Sequence, residues 1–466
     1  MKKFILGCGI LGVIGYLGTV GYVHNFDKAQ TEKLLKQQYP GKNQQIANIL
    51  HESGCQNCHT PNPTLPFYAN IPGLNKLVDL DIKRGNQLFN LNTFLEGLKD
   101  PSKISEVDLA KLEHVLKDNS MPPLRFKMIH WGSGLTQEEN NLLLDWIYEQ
   151  RQQKFLPQNT QGVDAKRSVQ PIPNALSIDA KKAALGNILY HDVRLSGDNT
   201  VSCHTCHQLN NGGVDGLVTS TGIKGQKGGI NAPTVFNAAF NKTQFWDGRA
   251  KDLAAQAGGP PLNPVEMGSK DWNEIIHKLS QDEALKKQFL ELYPAITPEN
   301  ITNAIAEFEK TLITPNSAFD KYLKGDKKAL SPSAIKGYKL FIENKCSTCH
   351  VGVALGGQSY ELFGIYDNYF ANRKQPQTDA DKGRFSQTQN PADLHRFKVP
   401  TLRNVALTAP YFHDGSVTDL GEAIKLMAYY QSGTDLTPEQ VSDIKAFLES
   451  LTGEYQGKVL TTNKQK

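Results

Sequence analysis

Cys55-Gln-Asn-Cys58-His59, Cys203-His-Thr-Cys206-His207 and Cys346-Ser-Thr-Cys349-His350 are three copies of one pentapeptide, Cys-x-x-Cys-His. Two cysteines at this spacing can each form a thioether to a vinyl group of one haem, and the adjacent histidine then reaches the iron. Six of the seven cysteines fall in these motifs, so chance is a poor explanation. Zinc ligation and disulfide bonding are the other readings of paired cysteines. Zinc wants two such pairs at one site, or histidines at finger spacing. Three separated single pairs supply neither. The spacing therefore predicts three covalent c-type haems, attached at Cys55 and Cys58, Cys203 and Cys206, and Cys346 and Cys349.

Covalent haem points outside the cytoplasm, and the N-terminus reads the same way. Lys2 and Lys3 precede an uncharged run from Phe4 to Val23. About 20 apolar residues suffice to cross a bilayer, and positive flanks stay cytoplasmic. That orientation puts the chain after His24 on the periplasmic side of the inner membrane. The run is long for a signal-peptide core and lacks an Ala-x-Ala cleavage site, which favours an uncleaved anchor over a cleaved signal. Cys8 reads as a membrane-buried thiol. Gly9, Gly12, Gly15, Gly18 and Gly21 form a small-residue ridge. It suits packing on a second membrane helix, or simply marks a glycine-rich anchor.

Beyond residues 1–24 roughly 440 residues remain, enough for two to four domains. A net charge of +4 is small for this length and argues against a nucleic-acid partner. With 39% hydrophobic and 21% charged residues, the chain has the composition of a soluble globular protein. Each haem motif follows a segment that reads as an amphipathic helix: Ile46–His51, Leu185–His191 and Tyr338–Ile342. Thr136-Gln-Glu-Glu139 and Thr437-Pro-Glu-Gln440 are capping boxes. The first opens a helix presenting Leu143, Trp146 and Ile147, the second one presenting Val441, Ile444, Phe447, Leu448 and Leu451. A further helix starts near Thr297 and runs through Ile305 and Phe308 to Leu312. Strand signals are sparse. The expected fold is mainly α: three cytochrome-c-like haem domains, 25–160, 165–330 and 331–455, after an N-terminal transmembrane helix. The boundaries fall in the polar stretch Leu156–Pro173 and the charged loop Lys324–Ser333.

From about Leu185 to Gly453 the chain resembles the bacterial di-haem cytochrome c peroxidases, a family that includes the MauG-like enzymes. The resemblance rests on Leu195-Ser-Gly197, Asn231-Ala-Pro-Thr-Val235, Phe245-Trp-Asp-Gly-Arg-Ala250, Leu253-Ala-Ala-Gln256, Val265-Glu-Met267 and Thr311-Leu-Ile-Thr-Pro315. It continues in Leu355-Gly-Gly357, Asp381-Lys-Gly-Arg-Phe385 and the run Leu402–His413. The first haem module lies outside the two-haem pattern. It looks like the tri-haem, membrane-anchored variant for which quinol has been proposed as donor.

The resemblance implies a role for each matching residue. His207 would be the proximal ligand of the peroxidatic haem, with Glu266 the catalytic carboxylate and Gln256 its neighbour. Such a pair suits peroxide, because a carboxylate can carry a proton from the inner to the outer oxygen. An amide can orient the peroxide and stabilise developing charge. His350 and Met427 would ligate the electron-transfer haem; taken alone, Met427 reads as a core helix residue. Trp246 matches a tryptophan between the two haems, where domain-interface packing is the plainer reading. Asn231, Thr408 and Pro410 match a calcium site, and their oxygens are suitable hard ligands. For the first haem, His59 is the proximal ligand. Met121, in Met-Pro-Pro, is the favoured distal ligand, with His114 and His130 as alternatives.

One position departs from the family. Many members carry a histidine on the peroxidatic loop that ligates the resting iron, and here Ile223 stands in its place. The expectation is an open site at rest, with His204 or His191 as substitute ligands otherwise. The implied activity is reduction of H2O2 to water. Electrons from cytochrome c or membrane quinol would enter at the first haem and pass the His350 haem and Trp246. A MauG-like oxidase acting on a partner protein and a non-catalytic multihaem carrier are the rivals. Calcium and a homodimer complete the expected partners.

Overall fold

In this computed structural model residues 2–462 are described, residues 2–10 by backbone only, so Cys8 and Gly9 lie outside the described side chains. The chain folds as two compact units, Met1–Lys154 and Phe155–Lys466. Both are mainly helical. The only extended pairings named as sheets are two short antiparallel ribbons, Tyr360–Leu362 with Arg396–Lys398 and Glu454–Tyr455 with Lys458–Val459, among the described residues.

The first unit opens with one continuous helix, Lys2–Leu34. Among the described residues no helix is long and apolar enough to cross a membrane. The first part of the Phe4–Val23 run is described by backbone only, so the expected 1–24 anchor lies partly outside the described side chains. The helix runs on past His24 and packs within its own unit. Val20 and Val23 are buried, Tyr16 Oη donates to the Met128 carbonyl at 2.7 Å, and Asp27 Oδ2 lies 2.6 Å from His130 Nδ1. The second half of the helix therefore belongs to the haem unit. Helix Gln137–Lys154 starts at the expected capping box: the Glu139 carboxylate accepts from Thr136 N at 2.7 Å, and Thr136 Oγ1 accepts from Glu139 N at 3.2 Å. Leu143, Trp146 and Ile147 are buried as one face.

The second unit is built around two helix pairs, each beside one haem motif. Helix Ala180–Tyr190 crosses Pro298–Glu309, and helix Pro332–Glu343 crosses Pro438–Glu449. Both crossings are made at a glycine. A Cβ on Gly186 would lie 1.9 Å from the Ala304 carbonyl oxygen, and one on Gly337 would lie 1.9 Å from that of Asp443. Any side chain there would force the helices apart. Thr297 and Thr437 cap the partner helices, each followed by Pro at the first helical position, as the sequence predicts. Below the second crossing Phe319, Tyr338, Phe341 and Phe447 interlock; Phe319 meets Phe447 edge-on at 5.0 Å.

The stretch Leu156–Pro173 resembles a polar linker in sequence, yet Val169, Gln170 and Ile172 are buried. Gln170 Nε2 donates to the Asp164 and Arg167 carbonyls, and Ile172 N donates to Asp320 Oδ1. Asp320 in turn pairs with Arg403 at 3.0 Å, both side chains fully buried. Arg403 also donates to the carbonyls of Gln170 and Val353. This ion pair ties the segment before residue 180 to the loop after His350. Breaking one partner of a buried pair leaves an uncompensated charge and costs about 3–5 kcal/mol. Asp320→Ala is therefore expected to lower unfolding stability by about that amount in denaturant titrations followed by helicity. A change within error would show that the pair is not structural.

Candidate active site and haem-binding motifs

Each Cys-x-x-Cys-His lies on a short helical turn: Gln56–His59, Cys203–Cys206 and Cys346–Thr348 with the histidine just after. All six cysteines are free and only partly buried. Yet burial pushes the Cys55, Cys203 and Cys346 thiols up to about 12. The three histidines behave alike, partly accessible but set deep enough that desolvation lowers their pKa, for His350 to about 4. Deep groups with open area line internal cavities, and a neutral imidazole is what a metal ligand requires.

The second ring nitrogen decides orientation. His59 Nδ1 lies 3.0 Å from the Gly85 carbonyl and 2.9 Å from that of Phe89. His350 Nδ1 lies 3.0 Å from the Leu355 carbonyl. Holding Nδ1 leaves Nε2 for iron, the usual arrangement behind a ligating histidine. His207 is fixed through its backbone, where Tyr190 Oη donates to its carbonyl at 2.6 Å. Its Nδ1 makes no hydrogen bond of good geometry, although the Pro233 and Gly213 carbonyls partly offset the burial of the ring. These residues fit haem c. The only grouping of three metal-ligating types among the described residues is Asp381, His413 and Asp414, and it contains no cysteine. Arg373 pairs with both of its carboxylates, so the group satisfies itself.

Around His207 the loop carrying Glu266 is tightly built. Asn263 Nδ2 donates to Glu266 Oε1 at 2.8 Å, and Asn263 Oδ1 accepts from Val265 N at 3.0 Å. Burial raises the Glu266 pKa, and Arg249 and Asn263 oppose that rise. Glu266 is also close enough to Cys206 to push that thiol upward. Ile223, where the family carries a histidine, is buried in the core with Leu195, Val201 and Met267. Its N–H donates to the Glu266 carbonyl at 2.9 Å, and Gln226 Nε2 donates to the Pro264 carbonyl at 2.9 Å. Both bonds end on backbone carbonyls of the Glu266 loop, so the two loops are tied to each other. Gln256 sits half-buried on helix Leu253–Ala257, which Asp252 caps by accepting from Ala255 N. His191 and His204 lie 4.6 Å apart, stacked beside Tyr190.

The other expected residues fall as follows. Met427 ends helix Leu420–Met427 and packs against the cluster of Phe363, Tyr369, Phe370, Phe397 and Tyr430. Trp246 packs on that same cluster, and its Nε1 donates to the Asn231 carbonyl at 2.9 Å. Asn231 N donates to the His413 carbonyl at 2.8 Å, which joins it to the segment containing Thr408 and Pro410. The Asn231 side-chain amide donates to the Leu217 carbonyl, leaving Oδ1 available. In the first unit Met121 is exposed. His130 is taken up by Asp27 and by Tyr68 Oη, 2.5 Å from its Nε2, and His114 Nε2 lies 3.2 Å from Asp118. Asn263, Arg249 and Tyr190 were not singled out by sequence. Asn263 had a signal, three residues before Glu266 on a proline-containing turn.

Comparison with known proteins agrees with this arrangement. Residues 180–328 match the family model for di-haem cytochrome c peroxidase, 15–149 that for a haem-binding domain and 334–452 that for cytochrome c. Cytochrome c peroxidase Ccp of Escherichia coli (strain K12) is 50% identical over 458 residues, 98% of each chain. The chain belongs to the di-haem cytochrome c peroxidase family. Cytochrome c551 peroxidase of Nitrosomonas europaea is 45% identical over 293 residues, 62% of this chain and 85% of that protein. A crystal structure of a MauG-like protein associated with microbial copper homeostasis superposes with a TM-score of 0.54 at 29% identity, covering 65% of this chain and 94% of that one.

The loop geometry generates a paired test. Glu266→Gln keeps the shape but removes the base, so peroxide turnover is expected to fall by about 10²-fold or more. Asn263→Ala removes a bond that favours the charged carboxylate. Glu266 then holds its proton to higher pH, and the acid limb of the kcat/KM profile is expected to move upward in pH. An unmoved acid limb with full turnover in both variants would remove this loop from the chemistry.

Proposed function

We propose that this chain is a periplasm-facing, membrane-anchored peroxidase that reduces H2O2 to two waters, consuming two electrons and two protons. Family membership supports the activity, and the observation that carries its placement is the Glu266 carboxyl held by Asn263 beside the His207 motif. The proposed organisation is an anchor over 1–24, a monohaem module over 25–160, a peroxidatic module over 165–330 and an electron-transfer module over 331–455. Three haems would be held by the three cysteine pairs, with His59 and Met121, His207, and His350 and Met427 as iron ligands. Haem, when bound, supplies the electrons and the iron face on which peroxide is reduced.

The chain's own residues do the rest. Glu266 takes the proton from the inner peroxide oxygen and delivers it to the outer one, so that water can leave. Burial raises its pKa, which suits a carboxyl that must return the proton it accepts. Gln256 orients the peroxide. Trp246 fills the space beside Met427, on the side from which electrons arrive. Ile223 offers no iron ligand, and its loop is bonded to the Glu266 loop, so the iron face is open at rest. Asn231, Thr408 and Pro410 would hold calcium. Met427 favours the peroxidase over the MauG-like reading, since those enzymes typically carry tyrosine at the matching position.

Reduced cytochrome c and membrane quinol are the two donor classes. Purified full-length protein is expected to consume H2O2 with either a reduced cytochrome c or a reduced quinol analogue, and a fused haem module on an anchor favours quinol. Peroxide consumption with neither donor would contradict the function. Consumption with cytochrome c alone would exclude quinol.

A further inference from the structure

Five large, mostly apolar side chains on or against the N-terminal helix of the first unit remain exposed. Tyr16 is 41% exposed, Tyr22 48%, Phe67 48%, Met128 53% and Trp131 51%. They fall in two groups along the N-terminal helix, Tyr16 with Met128 and Trp131, and Tyr22 with Phe67, which together make a collar. Tyr16 meets Trp131 at 6.3 Å and Tyr22 meets Phe67 at 5.3 Å, both edge-on. The Met128 carbonyl accepts from both Tyr16 Oη, at 2.7 Å, and Trp131 Nε1, at 3.1 Å. Rings with an apolar body and a polar tip are the composition of a membrane–water interface.

Helix length gives an independent constraint. From Phe4 to Tyr16, the first helix residue that the haem unit contacts among the described residues, the rise is about 18 Å at 1.5 Å per residue. A bilayer's hydrocarbon core is about 30 Å thick. A unit held clear of the lipid would leave this free segment too short to cross. The collar residues must themselves enter the lipid surface. Leu11, Val13, Ile14 and Leu17, just before and within the collar, are exposed and entirely apolar.

We infer that the haem-binding unit Met1–Lys154 is seated in the phospholipid surface through the collar of Tyr16, Tyr22, Phe67, Met128 and Trp131, and does not hang from its helix in free solution. The inference rests on the anchor reading and extends it. It has a functional consequence, because the turn Phe67–Asn70 packs on helix Leu74–Leu88, and that helix meets the first haem motif where Gly85 lies against the Cys58 carbonyl. Seating the collar would bring the helix that contacts the first haem motif next to the lipid surface, on the side of a donor dissolved in the bilayer.

The test uses full-length holoprotein in nanodiscs of phosphatidylethanolamine and phosphatidylglycerol. A nitroxide is placed at Val13→Cys, Phe67→Cys, Met128→Cys or the exposed Lys36→Cys, each combined with Cys8→Ser. Collision with oxygen, which concentrates in lipid, is compared with collision with a nickel chelate, which stays in water. Residues 13, 67 and 128 are expected to be oxygen-dominated by several-fold, and residue 36 nickel-dominated. If 67 and 128 are nickel-dominated while 13 is oxygen-dominated, the collar is not seated and the anchor stands. If 13 is nickel-dominated, the anchor reading itself fails, and the seat with it. If 67 and 128 are shielded from both reagents and their spectra broaden by spin–spin contact, a second copy covers the collar and the inference is overturned. The two independent labels at 67 and 128 guard against one variant folding poorly.

Discussion

A backbone carbonyl holding Nδ1 of a buried histidine is the contact on which the rest of the molecule depends. His59 and His350 are both held this way. A buried imidazole can rotate or take either tautomer unless one nitrogen is committed. Once Nδ1 is committed, Nε2 is left free for iron, and the paired cysteines beside it could bind the haem covalently. The carbonyls that do the holding come from segments beyond the motif, Gly85 and Phe89 in one case and Leu355 in the other. Fold and cofactor site are therefore specified together. The helix crossings at Gly186 and Gly337 serve the same end, because only a close crossing brings the helix before each motif against the helix that closes the module.

The same principle shapes the His207 neighbourhood. A carboxyl near a haem motif would be an ordinary acid if it were free to swing into solvent. Glu266 is not free: Asn263 holds its side chain, and Ile223 holds its backbone. Replacing a potential iron ligand by isoleucine has two consequences at once. It removes a ligand, and it adds an apolar anchor that pins the loop into the core with Leu195, Val201 and Met267. On the proposed reading, a loop anchored in this way need not move before peroxide binds.

Much of this was legible in the sequence, for identifiable reasons. The three motifs, the capping boxes at Thr136 and Thr437 and the helix after Thr297 are local patterns, and the structure repeats them within a few residues. The helix expected to reach Leu312 stops at Glu309 and turns. What the sequence hid depends on residues far apart in the chain. Nothing local pairs Asp320 with Arg403, or Asp27 with His130. Leu156–Pro173 has a linker's composition because polar residues are usually solvated, whereas Gln170 commits its amide to internal carbonyls. The anchor is expected from hydropathy alone, and hydropathy cannot show that the helix continues to Leu34 and is packed from Tyr16 onward.

The claim that matters most is that the His207 iron face, with Glu266 beside it, is open before any electron arrives. Electron paramagnetic resonance of the fully oxidised protein tests it most directly. A high-spin or water-ligated signal from one haem, altered at once by added peroxide, is the predicted result. A low-spin bis-histidine signal at that haem, lost on substitution of His191 or His204, would contradict the open site and identify the ligand that closes it.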